Sequence, residues 1–202
     1  MTFEKTSVTG FEPAFRGMRN PLNSWAKADS VFDDNPIVVG PNDKDLALRL
    51  IKAGPEHCKF LRQIIVWVDI TGSLYWWKEA DTYRAGVEKN SCSTMHKLMA
   101  RPLSEDDFEH DSMNNEYVRY VIDCLNTSME AWKCEEDPEV KKEIWRSVIQ
   151  GLPESYLQKR TCMFSYAALR NIIRQRTGHK LKEWHQFIEW CRTLPESWML
   201  FE

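Results

Sequence analysis

The sequence contains no run of apolar residues that approaches the roughly 20 needed to span a membrane. Its opening, MTFEKTSVTGFE, lacks the basic and apolar regions of a secretory signal peptide. We therefore expect a soluble, cytoplasmic protein. The six cysteines are scattered, with neither a CxxC pair nor the Cys/His spacing of a zinc site. The sequence predicts reduced, structural thiols and no bound metal.

Motifs of the common catalytic classes are also missing. No Gly-rich phosphate loop, GxSxG elbow or HExxH pair occurs in the 202 residues. His179 and His185 are six positions apart, which places them on different sides of a helix and argues against a metal pair. Cys92 has no visible base partner. Most enzyme classes therefore have no support from sequence motifs.

Positive charge is concentrated in one part of an otherwise acidic chain. The formal net charge of −3 argues against binding of a long nucleic acid. Residues 155–182 nevertheless contain seven basic residues and no Asp or Glu: Lys159, Arg160, Arg170, Arg174, Arg176, Lys180 and Lys182. Such local charge suits a discrete anion such as a phosphate group. On charge alone, a solvated basic face balanced by an acidic surface is the simpler explanation.

Secondary-structure signals predict an α+β fold with a small, mostly antiparallel sheet packed with several helices. One helix is predicted from Asp43 to Ala53, capped by Asn42 and ended by Gly54. Another is predicted to be capped by Asp137 and to bury Val140. Further helices are predicted over 73–84, 118–132 and 167–176, and strands over 63–70 and 160–166.

Residues 1–40 carry the turn signals MRNPLNSW and FDDNP and show no sustained period. We expect an irregular N-terminal arm there, followed by a single domain over residues 41–202. RPLSEDDFEHDS, over residues 101–112, predicts an acidic, solvated connection. The nine tryptophans are expected mainly to fill the core and subunit interfaces rather than to stack on a ligand.

The order of these segments resembles the flavin-dependent thymidylate synthases. In that family an LP turn leads into a strand and then into a helix with the pattern N-x-R-x-x-x-N-F-x-x-x-R. Here LPESYLQKRTCMF leads into SYAALRNIIRQRTGHKLKEWHQF, which places Ser165, Ala167, Asn171 and Arg176 on the four polar positions. Asn171 and Arg176 keep the family's residue types.

The first half of the chain resembles the family more loosely. AGPEHCKF stands where the family has G-H-x-S-x-x-E-H, with Pro55 in place of a ligand-touching His. The family's R-H-R triplet and its E-x-S-x-R segment fall on Thr82, Tyr83 and Arg84, and on Ser91, Ser93 and Met95. The last cation of the triplet and the serine are kept, whereas the phosphate-binding Arg is replaced by Met95.

The resemblance implies a flavoprotein that transfers a one-carbon unit to C5 of a deoxyuridine nucleotide, using FAD, a reduced nicotinamide and a folate donor. Arg176 would be the catalytic cation, because a guanidinium beside a pyrimidine carbonyl stabilises charge as C5 becomes nucleophilic. Asn171, Arg84 and Ser93 would contact the cofactor. Arg176, Arg174 and Ser91 would contact the pyrimidine deoxynucleotide. The family's homotetramers, with active sites between subunits, imply an oligomer.

The replaced positions leave two alternatives to an enzyme. One is a noncatalytic nucleotide-binding protein on the same scaffold, such as a sensor, sponge or regulator, which the altered triplet favours. The other is an interaction protein whose cations face an acidic partner. The retained Asn171 and Arg176 favour catalysis. We expect a flavin- and nucleotide-binding protein, and whether it is an enzyme stays open.

Overall fold

The computed structural model describes residues 1–32, 37–110 and 115–202. Within these ranges the chain has an α+β fold with a four-stranded antiparallel sheet, which confirms the predicted fold class. The strands are β1 (Thr2–Thr9), β2 (Ile65–Ser73), β3 (Val87–Ser91) and β4 (Leu157–Ser165). They pair in the order β1-β2-β4-β3. Both strands predicted from the sequence are confirmed, as β2 and β4.

Helices make up most of the remaining described residues. They are α1 (Phe11–Met18), α2 (Pro41–Ala53), α3 (Leu74–Ala80), α4 (Thr94–Lys97), α5 (Asn115–Cys134), α6 (Pro138–Gly151), α7 (Tyr166–Arg176), α8 (Lys182–Arg192) and α9 (Trp198–Phe201). Short 3₁₀ turns occur at Asn20–Leu22, Trp25–Lys27, Lys59–Arg62, Leu98–Ala100 and Glu105–Asp107. In the described ranges, no helix combines the length and apolar character that crossing a membrane requires.

The chain divides into two compact units. The first comprises Met1–Thr2, Ile70–Thr82 and Asn90–Arg160, and the second comprises Phe3–Asp69, Tyr83–Lys89 and Thr161–Glu202. The single domain expected over residues 41–202 stays a prediction, because compactness alone does not define an independently folding domain.

The expectation of an irregular arm over residues 1–40 is wrong. β1 occupies Thr2–Thr9, and α1 follows at once. Phe3 of β1 stacks on Trp190, with ring centroids 5.1 Å apart. The buried face of α1 has the spacing of an amphipathic helix: Phe11, Ala14, Phe15 and Met18. Only the stretch after α1 is loop-like, and the turn predicted at FDDNP falls largely on residues 33–36, outside the described residues.

The beginning of α2 differs from the predicted Asn42 cap. The helix starts at Pro41, and no side chain of the N-cap residue, Gly40, is available to cap it. The carboxylate of Asp29 instead accepts hydrogen bonds from the backbone N–H groups of Asn42, at 2.8 Å, and Asp43, at 3.0 Å. Gly54 ends the helix at φ +110°, as predicted.

The core of the first unit is built largely on α5 and α6. Asp137 caps α6 as predicted, with its Oδ1 accepting from the backbone N–H of Glu139 at 2.8 Å. Val140 is 41% exposed, so its predicted burial is wrong. The connection predicted over residues 101–112 contains the 3₁₀ turn Glu105–Asp107 and an antiparallel bridge from Phe108 to Tyr156, and its last two residues lie outside the described ranges. Its predicted solvation is wrong for Leu103 and Phe108, which are buried. The buried apolar cluster contains Leu98, Met99, Leu103, Phe108, Val118, Ile122, Leu125, Met129 and Val148.

Aromatic side chains dominate the core of the second unit. Trp184 and Phe187 are each 1% exposed, and their rings meet edge to face at 5.7 Å. The expectation that tryptophans fill the core is confirmed for Trp184 and for Trp76 and Trp77 of the first unit. Trp25 and Trp67 are exposed. All six cysteines are free thiols.

Candidate functional site

The second unit contains a pocket of about 680 Å³. Three separate segments of the chain line it, spanning residues 55–65, 85–86 and 163–174. The last segment includes the end of β4 and the first turns of α7. A volume in this range is typical of small-molecule and cofactor sites.

Four of the positions that the family resemblance aligned with motif residues line the pocket. Pro55, Ser165, Ala167 and Asn171 all line it. Pro55 is more than 100 positions from the other three in sequence, so only the fold brings the four together. The pocket therefore brings together residues from two segments that are distant in the sequence.

The beginning of α7 is fixed by a close contact with Gly86. Ser165 is the N-cap, and its Oγ accepts a hydrogen bond from the backbone N–H of Ala168 at 3.2 Å. The backbone N–H of Ser165 donates to the carbonyl oxygen of Gly86 at 2.9 Å. Gly86 has φ +70°, and a Cβ there would lie 2.5 Å from Ser165 Oγ. Position 86 therefore requires glycine. The close approach of Gly86 to Ser165 fixes the first turn of α7 beside the pocket.

Three arginines, Arg62, Arg170 and Arg174, line the pocket, and no Asp or Glu is among the described lining residues. Arg62 Nη2 donates to the carbonyl oxygen of Pro55 at 3.4 Å. Arg170 Nη2 donates to the main-chain oxygen of Glu202, the last residue of the sequence. The remainder of the lining is largely apolar, including Leu61 and Ile65. The pocket therefore combines apolar surface with positive charge.

Arg176 is not among the residues that line this pocket. Its guanidinium carbon lies 4.5 Å from the centroid of the Trp184 ring and 5.4 Å from that of Tyr83. Its Nε also donates to the Tyr83 hydroxyl at 2.8 Å. The side chain is half-buried. The predicted catalytic role of Arg176 stays a prediction, and these contacts fix its guanidinium in place.

Asn171 and Arg176 are connected through two intervening side chains. The Tyr83 hydroxyl, which accepts from Arg176, donates to Gln175 Oε1 at 3.1 Å. Gln175 Nε2 donates in turn to Asn171 Oδ1 at 3.0 Å. One end of this chain lies in the pocket lining and the other is the cation predicted to act on the nucleotide.

The remaining predicted site residues lie in different surroundings. Arg84 is exposed and directly precedes Ala85 and Gly86, both of which line the pocket. Ser91 ends β3 and is exposed. Ser93 caps α4, with its Oγ accepting from the backbone N–H of His96 at 3.2 Å. Ser91 and Ser93 belong to the first unit and Arg84 to the second. Their proposed contacts with ligand stay predictions.

Two of the pocket cations, Arg62 and Arg170, were not predicted as site residues. Arg170 and Arg174 are four positions apart on α7, so they share one face of the helix. That spacing was visible in the sequence. Arg62 gave no local signal, because it reaches the pocket from a 3₁₀ turn more than 100 positions earlier.

Two buried titratable groups of the second unit, the Tyr166 hydroxyl and the Cys191 thiol, do not suit catalysis. Burial raises the pKa of the Tyr166 hydroxyl and of the Cys191 thiol well above their ordinary values, so both remain protonated. His179 lies in the turn between α7 and α8 rather than on a helix. Across the described ranges, no three His, Cys, Asp or Glu side chains are grouped so that they could hold a metal ion.

Comparison with known proteins gives a structural likeness without a sequence match. No protein-family model matches the chain, and no curated protein sequence matches it. Two solved structures of the flavin-dependent thymidylate synthase ThyX from Helicobacter pylori, each containing FAD and dUMP, superpose with TM-scores of 0.73 at 19% identity. The alignments cover 99% and 100% of this chain and 98% of each ThyX chain. The chain therefore has the fold of flavin-dependent thymidylate synthase along its whole length.

Proposed function

We propose that this protein binds FAD and a pyrimidine deoxynucleotide and transfers a one-carbon unit to C5 of a deoxyuridine nucleotide. The observation that carries the proposal is the convergence of Pro55, Ser165, Ala167 and Asn171 on one pocket. They are four of the positions that the resemblance aligns with the family's motifs. The fold supports the same conclusion, since the ThyX structures that share it contain FAD and dUMP.

The residues of the pocket are compatible with a flavin nucleotide. Ile65 and Met163 offer apolar surface for a planar ring, and the arginines offer partners for phosphate. The Nε of Arg170 is buried and has no hydrogen-bond partner among the described residues, so one donor at the pocket is unused. A bound flavin would supply the hydride-transfer chemistry of the proposed reaction.

The proposed roles follow from the character of each side chain. Arg176 stabilises negative charge that develops on the pyrimidine ring, and Tyr83 and Trp184 hold its guanidinium in a fixed orientation. Asn171, Arg84 and Ser93 contact the flavin, and Arg174 and Ser91 contact the nucleotide. A reduced nicotinamide and a folate would be the reductant and the carbon donor. We further propose a homotetramer, as the family resemblance implies.

A second candidate is a noncatalytic nucleotide-binding protein on the same scaffold. Pro55 and Ala167 favour it, because both line the pocket where the family has a His and an Arg. Neither replacement can donate a side-chain hydrogen bond. Binding that survives these replacements while catalysis does not would make the protein a sensor, sponge or regulator.

The visible absorption spectrum of the purified protein separates these functions. The protein is incubated with FAD, desalted and then titrated with dUMP. A retained flavin band that dUMP perturbs supports the proposal, and conversion of dUMP in the presence of reduced nicotinamide and methylene-folate establishes catalysis. Flavin binding without turnover favours the noncatalytic protein. A colourless protein whose melting temperature is unchanged by FAD and dUMP contradicts both.

A further inference from the structure

We propose that Arg62, Arg170 and Arg174 form an anion subsite that takes the diphosphate group of a nucleotide, while the apolar part of the pocket takes a ring of the same ligand. The inference deepens the proposed function, since it uses the same pocket. The family resemblance gives a ligand role to Arg174 but none to Arg62 or Arg170. The inference rests on these three residues and on their arrangement within the second unit.

The first argument is the charge of the pocket lining. Arg19 and Arg160, elsewhere in the described chain, pair with side-chain carboxylates: Arg19 with Asp43 at 2.6 Å, and Arg160 with Asp81 at 2.8 Å. The pocket gathers Arg62, Arg170 and Arg174 without any described Asp or Glu in its lining. Arg174 makes no side-chain hydrogen bond or ion pair with a described residue. A site with this excess of positive charge is complementary to a multiply charged anion.

The second argument is a local conflict in α7. Arg170 and Arg174 are like charges at positions i and i+4, which destabilises a helix in isolation. The Nε of Arg170 adds a buried donor without a partner among the described residues. A phosphate oxygen between the two guanidinium groups would remove the repulsion. Sequence choices that oppose local stability are expected where a ligand compensates for them.

The third argument concerns the chemical class of the anion. Guanidinium groups bind phosphate oxygens through paired, charge-assisted hydrogen bonds. Three cations exceed what a single carboxylate or monophosphate needs, and a diphosphate matches them better. The first turn of α7, at Ala167 and Ala168, also lines the pocket, and a helix N-terminus favours an anion. The apolar residues Ile65 and Met163 supply a surface for the base or flavin ring.

Titration calorimetry with four probes tests the subsite: riboflavin, FMN, ADP and FAD. Wild-type protein is expected to bind ADP and FAD more tightly than FMN, and FMN more tightly than riboflavin, with ADP and FAD affinities that fall as salt is raised. Arg62→Ala and Arg174→Ala change exposed side chains and should leave the fold intact. Each is expected to weaken ADP and FAD binding about tenfold or more and riboflavin binding by less than about twofold. Arg146→Ala, an exposed arginine of α6, is the matched control and should change none of the four.

The outcomes distinguish this inference from the proposed function. ADP binding that depends on Arg62 and Arg174, in a protein that binds no riboflavin, FMN or FAD, would support the subsite and contradict the flavin function. FAD binding that is unaffected by both variants would overturn the subsite and leave the flavin function standing. Failure of wild-type protein to bind ADP at millimolar concentration, or equal losses for riboflavin and FAD in the variants, would also overturn the subsite.

Discussion

Asn171 in the pocket and Arg176 outside its lining are joined by a continuous chain of hydrogen bonds through Gln175 and Tyr83. The Tyr83 hydroxyl stands at the centre of this chain, because it accepts from the cation and donates to the amide. In the resemblance to the thymidylate synthases, Tyr83 occupies the middle position of the R-H-R triplet. Tyr83 therefore places a hydroxyl beside Arg176.

Tyr83→Phe tests the chain of hydrogen bonds. The variant removes the hydroxyl, and with it two hydrogen bonds, but keeps the ring beside the Arg176 guanidinium. The measured loss of stability therefore reports on the hydrogen bonds and not on the cation–π contact. The free energy of unfolding, measured by urea denaturation, is expected to fall by about 1.5 kcal/mol. Tyr83→Ala should cost distinctly more. A midpoint for Tyr83→Phe equal to that of the wild type would show that these hydrogen bonds do not stabilise the fold.

Arg176→Ala is expected to affect both stability and ligand binding. Loss of the Trp184 contact and of the bond to Tyr83 should lower the free energy of unfolding by about 2 kcal/mol. Nucleotide binding or turnover should weaken by about 2 kcal/mol or more if the cation contacts the ligand. Arg174→Ala is the control for stability, since that side chain is exposed and bonds no described residue; it should change stability by less than about 0.5 kcal/mol. Unchanged stability in Arg176→Ala would show that the contacts of Arg176 with Trp184 and Tyr83 do not stabilise the fold.

Asp43 makes the stability of the second unit depend on pH. Burial alone would raise the pKa of its carboxyl, but hydrogen bonds from Ser30, the backbone of Asp29 and the Arg19 guanidinium outweigh burial and lower the pKa below its ordinary value. The carboxylate therefore stabilises the fold fully above that ordinary value. The stabilisation is lost as the pH falls through the lower pKa of the folded protein.

Asp43→Asn should remove this dependence and leave Arg19, which is 3% exposed, without its ionic partner. The variant is expected to lose about 3 kcal/mol at pH 7 and to show a flatter loss of melting temperature between about pH 5 and pH 2 than the wild type. Asp45→Asn is the matched control, because Asp45 lies on the same helix and pairs with Arg49 at the surface. An equal acid response in both variants would contradict the account.

Gly86→Ala tests the close approach between Gly86 and the beginning of α7. The variant places a Cβ 2.5 Å from Ser165 Oγ and also strains a backbone at φ +70°. Gly178→Ala is the control, because Gly178 has φ +77° and nothing within 4 Å of the added Cβ. Backbone strain should cost each variant about 1 kcal/mol, and Gly86→Ala should cost at least about 1 kcal/mol more. Equal losses would show that Ser165 moves aside freely.

Features of the fold that depend on neighbouring residues could be predicted from the sequence. Asp137 and Pro138 start α6 because cap and first turn adjoin in the chain. The cap of α2 could not be predicted in this way, because Asp29 accepts from backbone groups 13 and 14 positions later. α1 has an amphipathic spacing, but its eight residues lie among turn signals that conceal it.

In the candidate site, too, features within one segment could be predicted, and features that depend on distant segments could not. The family motifs identified Asn171, and the basic stretch pointed to Arg174, because both belong to one continuous helix. The pocket itself could not be predicted, since it forms only when residues 55–65, 85–86 and 163–174 converge. Arg176 lies against Tyr83 and Trp184, and no local sequence pattern links these two residues to α7.

The most direct test of the central claim is FAD affinity when the pocket is filled. Ala167 lines the pocket in the first turn of α7, and Ala167→Trp adds a side chain large enough to occupy the space beside Asn171. Ala131→Trp, at an exposed position of α5, is the control. Quenching of flavin fluorescence should give wild-type affinity for the control and at least about tenfold weaker binding for Ala167→Trp, with unchanged circular dichroism. Wild-type FAD affinity in a folded Ala167→Trp protein would contradict the assignment of this pocket as the flavin site.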